Sequence, residues 1–156
     1  MLPGAQHLQN IHPLVIHFPI AFLMGAALFY FVAWVSRKEQ FAVTGFWLLI
    51  LGAFSIGGAI ATGLYAEQGV MVHLSVREKL LQPHKNFMII TAALCFILTV
   101  WALIQRPFPI KGRMVFLVLF LLMIGTMTVG ADFGGRMVYD YNAGGNACPQ
   151  PIKFTR

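Results

Sequence analysis

Charge is what this sequence has least of. Its 156 residues include 11 Lys+Arg and 5 Asp+Glu, so charged residues make up 10% of the chain. An ordinary soluble domain carries roughly 25%. With 58% hydrophobic residues and a mean hydropathy of +0.75, too few polar side chains remain to cover a soluble core of this length. Disorder and a nucleic-acid surface built on basic patches are excluded on the same ground. The chain also lacks a C-x-x-C-H motif, which excludes covalent c-type haem. A phosphate-binding loop and a Ser/His/Asp arrangement are missing too. Of its two cysteines, Cys95 lies in the middle of an apolar run and Cys148 in the C-terminal tail. That placement puts them too far apart for a disulfide.

What is present is long uncharged sequence. About 20 apolar residues at 1.5 Å each cross the roughly 30 Å hydrocarbon core of a bilayer. Runs meeting that length lie within Pro13–Val35, Phe41–Tyr65, Phe87–Ile104 and Met114–Ala131. They are bounded by Ser36-Arg37-Lys38-Glu39, Glu67, Gln105-Arg106-Pro107 and Asp132. Backbone polar groups in lipid must be satisfied internally, and no run alternates apolar with polar residues, so the runs are helices. The expected fold is all-α, an integral membrane four-helix bundle. Its domain is expected over 1–145, with an exterior tail at 146–156. The first run is expected to be a retained span, because residues 1–13 hold no Lys or Arg and no small-residue cleavage site follows. Between the second and third runs, Val70, Leu74, Leu80 and Leu81 interleave with His73, Arg77, Glu78 and Lys79. This pattern predicts a short amphipathic helix on the membrane surface. A connector packed on the bundle end is the alternative.

The few charges set an orientation. Arg37 and Lys38 occupy one short loop, and Arg106, Lys111 and Arg113 another, with Glu39 as their accompanying acid. Basic residues elsewhere (Arg77, Lys79, Lys85, Arg136, Lys153, Arg156) are spread out and mixed with acids. By the positive-inside rule the short loops are cytoplasmic and both termini exterior, as in a multi-pass protein of the bacterial inner membrane. Trp34, Trp47 and Trp101 fall near the cytoplasmic ends of the first three runs, where an aromatic belt belongs. The net charge of +6 is therefore an orientation feature.

All five histidines (His7, His12, His17, His73 and His84) fall on the predicted exterior side. His17 lies near the start of the first run, where Pro19 frees the carbonyl of Val15. His84 follows Pro83 at the start of the third. Both reach the outer membrane edge on non-adjacent helices, which makes them candidate metal or haem-iron ligands. His12 and His73 are candidates to support those ligands or to bind a second group. His12 and His17 stand five apart, about 140° around a helix, so they form no local clamp. Small residues recur at four-residue spacing: Ser55, Ala59 and Gly63, then Thr126, Gly130 and Gly134. Such stripes serve close helix packing or make room for a flat macrocycle. Gly134-Gly135 is expected to form a turn or to allow a tight backbone approach. Arg136 is expected to pair with Asp132 or to neutralise a haem propionate. No span carries an ionisable residue near its midplane, which argues against an ion-coupled transporter.

Three segments, taken in order, resemble a known family. They are Ile11-His12-Pro13-Leu14-Val15-Ile16-His17-Phe18-Pro19-Ile20; Ala61-Thr62-Gly63-Leu64 followed by His84; and Gly134-Gly135-Arg136-Met137-Val138-Tyr139. They resemble the bacterial membrane family known as domain of unknown function 2231, over about residues 11–145. The resemblance implies four membrane helices and histidines at the positions of His12, His17 and His84, in respiratory or redox settings. Two functions follow as expectations. The first is a small b-type haem subunit passing electrons between quinol and an exterior partner. Its axial ligands would be His17 and His84, with His12, His73 and Arg136 completing the cofactor site. The second is a structural or assembly subunit of a larger membrane complex, whose histidines only hydrogen-bond at the interface. In both, the partners are the lipid bilayer and other membrane subunits, with quinone added in the first, and no nucleic acid.

Overall fold

The computed structural model describes residues 11–69, 74–141 and 143. Four of its helical stretches are long and apolar enough to cross a membrane: His12–Ser36, Glu39–Gln68, Leu74–Ile104 and Arg113–Tyr139. In finer detail, the first is α1 (His12–Val15) followed by α2 (His17–Ser36), broken at Ile16. The break follows from Pro19, which has no N–H to give the carbonyl of Val15. Next come α3 (Glu39–Gly69), the short α4 (Leu74–Val76), a π turn (Arg77–Leu81), α5 (Gln82–Ile104) and α6 (Arg113–Tyr139). The described residues contain no strand.

Among the described residues, no separate surface helix stands between the second and third spans. Instead α3 runs on past Tyr65 to Gly69, and the residues from Leu74 lead without interruption into α5. The join is the π turn, closed by the Gln82 N–H bonding to the Arg77 carbonyl. Pro83 follows at once and would leave an α-helical carbonyl without its donor. Shifting the ladder to i→i+5 pairing absorbs that defect and keeps the helix continuous.

Packing gives two hairpins, α2 with α3 and α5 with α6, and the seam between them is closed by α3 against α5 and α2 against α6. The first span is thus diagonal to α5. Leu23, Leu49, Leu98 and Met123 fill the middle of the bundle and are fully buried. At the basic end, buried Tyr30 of α2 packs on Phe108, Phe116 and Phe120, and its hydroxyl donates to the Pro107 carbonyl at 3.1 Å. Outward positions such as Phe54, Ile89, Phe96 and Leu121 are exposed and apolar, as a lipid-facing surface requires.

Candidate functional site

The end of the bundle opposite the basic loops brings two histidines together. His12 and His84 lie with ring centroids 6.4 Å apart and planes at 86°. One comes from the first span and the other from α5, the diagonal pair of the bundle. Both rings are half-buried. Each histidine adjoins a proline in the first turn of its helix, Pro13 for His12 and Pro83 for His84. Proline is tolerated there because the first-turn N–H has no helical partner in any case.

Each ring is held within its own hairpin, by similar means. His12 lies over Gly63 of α3, where a Cβ would stand 3.1 Å from its Cε1 and 3.4 Å from its Nδ1. His84 lies over Gly134 of α6, where a Cβ would stand 3.0 Å from its Cε1 and 3.1 Å from its Nδ1. Only glycine lets a ring approach a helix backbone so closely. His12 Nδ1 is 3.0 Å from Thr62 Oγ1. That hydroxyl also lies 3.0 and 3.1 Å from the Gly58 and Ala59 carbonyls; with its proton on either carbonyl it accepts from His12 Nδ1–H. His84 Nδ1 donates to the Gly130 carbonyl at 2.7 Å. A neutral imidazole with its proton on Nδ1 carries its lone pair on Nε2, the tautomer of a ring that ligates through Nε2.

An ion-pair cluster stands beside the rings. Lys85, next to His84, donates to both carboxylate oxygens of Glu67, at 2.9 and 3.1 Å. Arg77 reaches the same carboxylate at 3.1 Å. Glu67 is one turn beyond Gly63 on α3, so these bonds join the hairpins next to the histidine pair.

The remaining expected site residues are placed differently. His17 is exposed on α2, and the ring that meets His84 belongs to His12. His7 and His73 lie outside the described residues, as does Cys148. Gly134 and Gly135 are helical, because α6 runs on to Tyr139. Arg136 does not pair with Asp132; it faces Asp140 at 3.7 Å, and both side chains are about half exposed. The glycine stripes divide by role. Gly52 is pressed against Leu23, where a Cβ would come within 2.5 Å of the leucine side chain, whereas Gly57 and Gly125 face open space.

A family model described as Predicted membrane protein (DUF2231) matches residues 8–147. The chain belongs to this family. In this DUF2231 protein the match takes in both halves of the histidine site, from His12 to Gly134. No curated protein and no solved structure matches the chain significantly.

The sequence marks both histidines, Thr62, Gly63 and the close approach at Gly134, but it does not place Glu67 and Lys85 at the site, and Gly134-Gly135 forms no turn. The pattern that marks the pair is its repetition. In each half, a proline-flanked histidine begins one helix and a glycine near the end of the next receives it.

Proposed function

We propose that this protein is a small b-type haem subunit of the bacterial inner membrane, with His12 and His84 as the axial ligands. It passes electrons between quinol and a redox partner on the exterior side, within a larger membrane complex. The observation that carries this reading is the pairing of the two rings, 6.4 Å apart. Haem iron would take one histidine from each side of its macrocycle, and the two rings come from opposite hairpins with each Nδ1 already bonded within its own hairpin.

Haem would ask few ligands of the protein. No group of three or more His, Cys, Asp or Glu gathers among the described residues, whereas a bare zinc site needs three or four protein ligands. Haem iron takes four nitrogens from its own macrocycle and two axial ligands from the protein. Bound there, it would supply one-electron redox chemistry. The chain's own residues do the positioning. Thr62 and the Gly130 carbonyl fix the tautomer and rotation of the rings, and Gly63 and Gly134 set their depth. Arg136, two residues beyond Gly134 and loosely paired at 3.7 Å, is placed to neutralise a propionate. Under the positive-inside rule this end of the bundle faces the exterior.

The visible absorption spectrum of the purified protein tests the proposal. A Soret band and a reduced α-band of the b type are expected, and their absence from protein made with haem available overturns the reading. His12→Ala and His84→Ala should each remove the bis-histidine spectrum, while His17→Ala retains it. Loss in His17→Ala with retention in His12→Ala would return the ligand role to His17.

A further inference from the structure

The basic end of the bundle carries a second, unrelated feature. Arg37, which follows α2, and Arg113, which opens α6, line one surface cleft of about 520 Å³ together with Trp34 and Val35. The cleft thus sits on the α2–α6 side of the seam, with one arginine from each hairpin.

Both arginines are fixed in ways that favour an anion. Arg37 ends α2 in the left-handed conformation, φ 56°, with its N–H bonded to the Ala33 carbonyl. This cap fixes the backbone from which the Arg37 side chain reaches the cleft. Arg113 donates from Nε to the Pro109 carbonyl at 3.1 Å, and its guanidinium lies 4.6 Å from the centre of the Phe108 ring. That leaves its two Nη groups for a forked contact with phosphate oxygens.

The charge around them is unbalanced. Lys38, Arg106 and Lys111 share this end, with Glu39 as the acid. The three ion pairs among the described residues all lie at the other end. The remaining wall of the cleft is apolar and outward-facing, Trp34 being 38% and Val35 63% exposed. A tryptophan at the end of a membrane span marks headgroup depth. A soluble phosphate would gain nothing from that wall, but the glycerol and first acyl carbons of a lipid would. We propose that the cleft binds the phosphodiester headgroup of an anionic phospholipid, with Arg37 and Arg113 on the phosphate and Trp34 and Val35 against the glycerol region. Basic pockets between membrane helices commonly take such headgroups. This assignment is independent of the haem reading.

The test is native mass spectrometry of the purified full-length protein in neutral detergent, titrated with phosphatidylglycerol or phosphatidylcholine. Phosphatidylglycerol should bind at least tenfold more tightly. Arg37→Gln with Arg113→Gln should erase that preference, while Lys38→Gln with Lys111→Gln, an equal loss of charge, should change it less than twofold. If the glutamine pair fails to fold, Arg37→Lys with Arg113→Lys keeps the charge but not the fork and should still weaken binding at least threefold. Equal binding of the two lipids, or equal losses in the arginine and lysine variants, overturns the proposal. So does full competition by millimolar glycerol phosphate, which would make the ligand a soluble phosphate.

Discussion

Gly63 and Gly134 leave open the space in which a histidine ring rests, so each can be tested one methyl group at a time. Gly134→Ala would place a carbon 3.0–3.1 Å from Cε1 and Nδ1 of His84. The ring must move, and under the proposed haem function the haem content, read as the Soret-to-protein ratio, should fall severalfold. Gly125→Ala on the same helix meets nothing within 4 Å and should keep full haem content. It should also gain up to about 1 kcal/mol in unfolding free energy from helix propensity. Thr62→Val removes the acceptor for His12 Nδ1–H while preserving shape, at an expected cost of about 1 kcal/mol in stability, with weaker haem retention. The sequence showed small residues at these positions but not what they receive. A glycine read along the chain suggests a turn or a close approach; the ring packed on Gly134 shows which of the two applies.

Helix ends were harder to read than helix cores. The apolar runs marked four spans, yet hydropathy stops where lipid stops, and these helices do not. With 31 residues, α3 is about 46 Å long, well beyond the roughly 30 Å hydrocarbon core. Its last turns project past the apolar layer, which is where Glu67 meets Lys85 and Arg77. Among the described residues no separate surface helix stands, for the same reason: its charged residues decorate the projecting end of a longer helix. The π turn before Pro83 could not be read from composition, because it answers a single missing N–H. Glu67 is the link that ties α3 to α5 at this end. Glu67→Gln should lower thermal stability by at most about 1 kcal/mol, since the cluster is partly exposed. A double-mutant cycle with Lys85→Gln should show coupling that weakens as salt is raised.

Charge distribution predicts an orientation for the whole molecule, and that is open to direct measurement. Cys95 is buried, so a membrane-impermeant thiol reagent on intact cells should label Cys148 alone, and labelling should disappear in Cys148→Ser. A cysteine placed at Lys38 in that background should react only after the membrane is opened; the opposite pattern would invert the topology. What charge could not reveal is how the two halves meet. Across the seam, the Tyr30 hydroxyl bond lies at one end and the Glu67 ion pairs at the other. Apolar side chains fill the span between them, and in lipid such packing is only weakly directional. Each histidine is fastened to its own hairpin, so neither hairpin alone determines the gap between the rings. That gap follows any swing of one hairpin against the other about the Tyr30 end. The distance between the two imidazoles is therefore a measure of how the two hairpins are seated against each other.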